Sequence, residues 1–147
     1  MGDIPIGAKG AETLTIAREH TVASHDPRMP EVFATPMMIY LMETTAADLV
    51  APFLPEGWIT VGVHVDVRHL AATPVGATVI ATATVTAVDA NTITFAVEAH
   101  DGIEKIGEGT HTRAKVELAR FIKRMLRKVT QSGSPLEQHY AEPLDPS

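Results

Sequence analysis

Residues 35–54 read TPMMIYLMETTAADLVAPFL, and this stretch decides how the rest of the chain is read. Met38, Leu41, Met42, Thr45 and Leu49 recur at the three- and four-residue spacing of one helix face. The pattern ends before Pro52, whose ring and missing N–H stop a helix. Glu43 interrupts it, between MMIYLM and TTAA. A charge buried in such surroundings is costly unless it is paired, so Glu43 is either held there for function or lies on an exposed stripe. In a helix apolar nearly all round, the functional reading is favoured. Thr35 followed by Pro36 has an ordinary explanation, an N-cap followed by the favoured first residue. Yet Thr35 and Glu43 lie eight residues apart, about 80° around a helix of 3.6 residues per turn, so they can share one side. A hydroxyl at a helix N-terminus also sits beside free N–H groups, where developing negative charge is stabilised.

Outward from this helix the pattern changes period. Upstream, residues 12–23 mix β-branched and polar types and predict a first strand, followed by the loop SHDPRMP. Downstream, residues 59–71 alternate, with Val61, Val63, Val65 and Val67 on one face and Gly62, His64, Asp66 and Arg68 on the other. By that parity His69 continues the valine face and points to the helix side, either as a satisfied core histidine or as a working one. His64 and Asp66, beside Arg68, read as a solvated face and not as a metal site. Residues 77–88 give a strand whose inner side is Ala77, Val79, Ala81, Ala83 and Val85, small enough to let a helix lie close. Residues 92–100 and about 104–118 give two more, joined at the hairpin signal Asp101-Gly102. Arg113, in the last strand, reads as an exposed charge opposite Ala114, Val116 and Leu118, unless a bulge near Gly107 or Gly109 re-aims it.

One helix followed by four antiparallel strands predicts an α+β fold, a curved antiparallel sheet wrapped around one long central helix, which is the hot-dog layout. VELARFIKRMLRKV (116–129) then keeps helical spacing, with Arg120, Lys123, Arg124, Arg127 and Lys128 on its polar side. The expected organisation is a single domain over 1–130, closed by this amphipathic helix, with a disordered tail over 131–147.

Composition removes several functions. The absence of cysteine excludes disulfides, thiolate metal sites and a cysteine nucleophile. A net charge of -6 argues against nucleic acid. No apolar run approaches the roughly 18–20 residues that span a bilayer, and the start MGDIPIGAKG carries no export or anchoring signal, so a cytoplasmic protein without membrane contact is expected.

The segments EVFATPMMIYLMETTAADLVAPFL (31–54), VGVHVDVRHLAATPVGATV (61–79) and AHDGIEKIGEGTHTRA (99–114) together resemble the fluoroacetyl-CoA thioesterase family from about Pro30 to about Val116. The resemblance implies a hot-dog homodimer, open to higher assembly, with acyl-CoA bound at the subunit interface. It implies a catalytic set of Thr35, Glu43 and His69, with Gly62 and Arg113 binding substrate. Met29 and Phe33, just before the helix, are assigned to substrate binding with them. Where the fluoroacetyl-specific enzyme closes its acyl pocket with phenylalanines, this chain aligns Asp26 and Met29, and Pro36 replaces a glycine. Hydrolysis of a short acyl-CoA to free acid and CoA is therefore expected, without selectivity for the fluorinated substrate.

In the expected chemistry, N–H donors near Gly62 polarise the thioester carbonyl. Glu43, hydrogen-bonded to Thr35, attacks it or activates water, and His69 is the general acid or base. No metal or other cofactor is called for, since coenzyme A is part of the substrate. Two other readings stand beside this one, an acyl-thioester hydratase or dehydratase and a non-catalytic acyl-CoA-binding module. The basic C-terminal helix reads as a solvated face, though its cations could also meet coenzyme phosphates.

Overall fold

Helix α1 (Thr35–Val50) starts and stops where its sequence says it should, and the rest of the chain is arranged to cover it. In the computed structural model, which describes residues 3–132, it follows strand β1 (Lys9–Thr15) and precedes β2 (Trp58–His69), β3 (Thr78–Val88), β4 (Thr92–His100), β5 (Lys105–Glu117) and helix α2 (Leu118–Ser132). The five strands form one antiparallel sheet in the order β1-β3-β4-β5-β2, so β1 and β2 are its edges. Helix α1 buries Met38, Leu41, Met42, Ala46 and Val50 against the inward residues of β3 (Val79, Ala81, Ala83, Val85) and β4 (Ile93, Phe95, Val97, Ala99). Small side chains let it lie close: a Cβ on Gly107 would stand 2.5 Å from the Met38 sulfur.

Two expectations need correction. The first strand ends at Thr15 rather than running on to residue 23, and residues 18–20 and 22–24 form 3₁₀ turns. Local bonds compete with the ladder there: Thr21 Oγ1 donates to the Arg18 carbonyl at 2.6 Å, and the Ala17 N–H donates to His20 Nδ1 at 2.9 Å.

The second concerns β2, which does not alternate strictly. Its pairing with β5 runs Gly62 to Arg113 and then His64 to Thr112, leaving Val63 as an extra, bulged residue. Before the bulge the even residues Thr60 and Gly62 face α1; after it the odd residues Val67 and His69 do. The parity reading therefore holds for His69 and fails for Val61 and Gly62. Both Gly62 and His69, an odd number of residues apart, end on the same face.

Helix α2 runs on directly from β5, with Ile122, Met125, Leu126 and Val129 half-buried and its cations exposed. The tail expected over 131–147 lies outside the described residues except for Gln131 and Ser132, which close α2. No helix among the described residues is long and apolar enough to cross a membrane.

Candidate active site

The side chains singled out from the sequence form two clusters on the α1 side of the sheet. In the first, Thr35 Oγ1 lies 2.7 Å from His69 Nδ1, across the start of α1 and the end of β2. Thr35 is the first helical residue and not the cap; Ala34 is the N-cap, with no side-chain cap bond. The hydroxyl is thus committed to the imidazole and not to a backbone N–H. The other imidazole nitrogen, Nε2, is buried without a hydrogen-bond partner. Burial pushes the His69 pKa below its ordinary value, the nearby backbone of Ala71 partly opposing it. The pair opens onto a groove of about 380 Å³ walled by Val22, Val32, Phe33 and residues 70–72.

The second cluster is built on Arg113, which strand alternation on β5 places inward, correcting the expected exposed charge. Its Nε donates to Thr60 Oγ1 and its Nη2 to the Thr60 carbonyl, both at 2.8 Å, which fixes the guanidinium plane. Its Nη1 faces Glu43 Oε2 at 3.5 Å and His111 Nε2 at 3.2 Å. Burial lowers the Arg113 pKa, with the Glu43 charge working against that, and the group stays cationic. The Glu43 carboxylate in turn lies over the backbone of Gly62: a Cβ there would stand 2.8 Å from Oε2. Only glycine leaves that space.

His111 and Thr60 were not foreseen. His111 Nδ1 is 2.8 Å from the His64 carbonyl, which can only accept, so Nδ1 carries the proton. Nε2 is then the lone pair that receives Arg113 Nη1. The ring stacks on Phe95 with centroids 6.1 Å apart, and burial, first among several causes, lowers its pKa. The signal was present in THTR: two residues apart on one strand, His111 and Arg113 share a face.

The structure does not join the two clusters within one chain. Thr35 and Glu43 share the helix but stand about 12 Å apart along its axis at 1.5 Å per residue, so the expected bond between them is not made. The hydrogen bond described for Glu43 is to Arg113. Of the two remaining candidates, Phe33 is buried in the core while bordering the groove, and Met29 stands exposed in its loop outside the groove wall. Asp26 is held in its charged form by a two-point contact with Arg28, both bonds 3.0 Å long. Among the described residues no three His, Asp or Glu side chains come close enough to hold a metal ion.

This architecture has close parallels. The curated fluoroacetyl-CoA thioesterase of Streptantibioticus cattleyicolor is 42% identical over 99 residues, 67% of this chain and 71% of that protein. A solved structure of a fluoroacetyl-CoA thioesterase superposes with a TM-score of 0.82 at 35% identity, covering 86% of this chain and 98% of the other. A Thermus thermophilus protein described as a thioesterase superfamily member gives 0.81 at 27% identity, over 90% and 97% of the two chains. The family model for fluoroacetyl-CoA-specific thioesterase matches residues 16–119, which span α1, all of β2 to β5 and both clusters, and the chain belongs to that family.

Proposed function

We propose that the protein hydrolyses a short acyl-CoA to the free acid and coenzyme A, at a site made from the Glu43 cluster of one protomer and the Thr35–His69 pair of another. The observation that carries this reading is the Glu43 carboxylate held by Arg113 over the bare backbone of Gly62, an acid group presented to an open strand where a thioester can lie. Glu43 either takes a proton from a water that adds to the carbonyl carbon, or adds to that carbon itself to give a mixed anhydride that water then opens. In both routes the carbonyl electrons return, the C–S bond breaks and the thiolate leaves. His69, steadied by Thr35, supplies a proton to that sulfur or takes one from the water.

A second copy is needed because about 12 Å separates the clusters within one chain. Strand β2 is a twelve-residue sheet edge with Val63 and Val65 exposed at its middle, a surface that pairs readily with another strand. Antiparallel pairing of β2 with its copy about a two-fold axis near Val65 or Asp66 sets His69 within about two ladder positions of the partner's Gly62, and so beside the Glu43 that lies over it.

The test is thiol release from acetyl-, fluoroacetyl-, medium-chain and aryl-CoA. Release of CoA with free acid supports the reading. An enoyl product without free thiol, or tight binding without turnover, replaces it with the hydratase or the binding module.

A further inference from the structure

We infer that α2 and the adjoining ends of β2 and β5 form the seat for the phosphates and purine of the substrate's nucleotide. This rests on the acyl-CoA reading above and names a part of the substrate site that the catalytic clusters leave undescribed.

Charge is sharply segregated in this chain. Helix α2 holds five of the 12 Lys and Arg residues and no acid, so the remainder carries seven cations against 18 acids, a net of -11 against +5. A cationic helix on an acidic body would be expected to pair with it. Instead, among the described residues, Arg120, Lys123, Arg124, Arg127 and Lys128 enter no ion pair. Cations left unpaired by the carboxylates of the described residues suit an anion from outside.

The surface is also concave. One depression of about 250 Å³ is walled by Trp58, Asn91, Lys115, Arg120, Phe121 and Arg124. A second, of about 440 Å³, adjoins it through Arg120 and Arg124 and adds Lys123 and Arg127. Trp58 and Phe121 offer ring faces to a purine, and the arginines offer planar forks to phosphate. Lys115 is steadied by the Asp89 carbonyl, to which its ammonium donates at 3.2 Å. Glu117 is the one carboxylate in the walls and leaves the balance strongly positive.

Register supplies the link to the chemistry. Trp58, Thr60 and Gly62 lie on one face of β2, opposite Glu117, Lys115 and Arg113 on β5. Trp58 is thus four residues from Gly62 on the same face, about 13 Å at 3.3 Å per residue. That is a span an extended pantetheine arm can bridge between thioester and pyrophosphate. A lone phosphate would need neither the ring faces nor two adjoining depressions; a phosphorylated nucleotide uses both.

The experiment compares acetyl-CoA with acetyl-pantetheine, the same thioester without its nucleotide, in the full-length wild type and in Arg120→Gln/Arg124→Gln. The double variant should lose about tenfold or more in kcat/KM for acetyl-CoA, chiefly through KM, the scale expected for lost charge-assisted phosphate contacts. The ratio of the two substrates' kcat/KM values should fall by the same factor. Raising salt should lift the wild-type KM for acetyl-CoA and leave that for acetyl-pantetheine flat. An unchanged ratio, or equal losses for both substrates, would overturn the assignment. Calorimetric titration of free CoA and of 3′,5′-ADP tests the seat without turnover. Binding to the wild type, weakened by the double variant, supports it even if no thioester is cleaved, and equal binding by both proteins refutes it.

Discussion

Glu43 and His69 are each fixed by one described side-chain contact, and those contacts set what each variant should do. Glu43→Gln keeps the shape and removes the charge that Arg113 faces, and His69→Ala removes the proton carrier. Each should lower kcat by at least about 10²-fold, the usual scale for losing a positioned acid, base or nucleophile. Folded variants that turn over at wild-type rate would remove these residues from the chemistry. Thr35→Ala should cost activity with little stability, because Ala34 is the N-cap and no cap bond is lost. A drop in melting temperature without a change in kcat would reverse that assignment.

At the same scale, we expect Asp26 and Met29, in the loop before the groove, to bear on selectivity. A charged Asp26 and an exposed, flexible Met29 favour a wet pocket mouth, and discriminating fluorine from hydrogen requires a dry one. Fluoroacetyl-CoA should therefore be preferred over acetyl-CoA by less than about 10³-fold in kcat/KM, equivalent to roughly 4 kcal/mol. A larger ratio would mean that other residues close the pocket.

His69 and His111 also tie stability to pH. Both are held below the ordinary histidine value near 6.5, chiefly by burial, so unfolding takes up protons. Their contribution is fully present above about pH 6.5 and is lost as pH falls through and below it. Glu12, whose pKa is raised chiefly through its hydrogen bond to Asp48, works the opposite way at lower pH. The melting temperature should fall between pH 7.5 and 5.5, and fall less steeply in His111→Asn, which has no imidazole to protonate. Parallel curves for the two proteins would contradict this.

At the scale of elements, the bulge in β2 decides the site. In a strand that alternated regularly through Val63, Gly62 and His69, seven residues apart, would face opposite sides of the sheet. Gly62→Ala puts a methyl 2.8 Å from the Glu43 carboxylate, the movable end of a side chain, and 3.2 Å from the His111 ring, so the carboxylate yields first. We expect kcat/KM to drop by at least about tenfold, as misplacing a reacting group does, while the melting temperature shifts by less than about 4 °C. Normal activity would mean that the carboxylate need not lie over that strand.

The same bulge marks where the sequence stops being readable. Strand β4 was legible to the residue and helix α1 to within one residue at each end, because a Thr/Ile/Phe/Val alternation and an apolar face closed by Pro52 are local patterns. Alternation cannot show a bulge, since it arises from mismatch with a partner strand. Val61 and Gly62 were therefore placed on the wrong faces, while His69, beyond it, was placed correctly. Arg113 was taken for a surface charge because strand parity gives sides without saying which side is covered. Residues 18–23 look like strand by composition, and the turns found there come from short-range bonds of Thr21 and His20. Thr35, Glu43 and His69 could be named from the sequence as candidates, whereas Thr60 and His111, which hold Arg113 beside Glu43, were not foreseen because they are set by pairing across β2 and β5.

At the scale of the whole molecule, one chain holds the two clusters apart, and we propose the edge strand β2, with exposed Val63 and Val65, as the place where a second copy fits. The account then requires Glu43 of one protomer to serve the Thr35–His69 pair of the other. Mixing inactive Glu43→Gln with inactive His69→Ala, after dissociation and reassociation, tests this by thiol release from acetyl-CoA. Each mixed dimer would hold one site with both groups intact and one with neither. Random pairing should restore about a quarter of wild-type activity per protomer, half the dimers being mixed and each carrying one of two sites. A mixture as inactive as its two components, with mixed dimers demonstrated by mass spectrometry, would contradict a site shared between protomers.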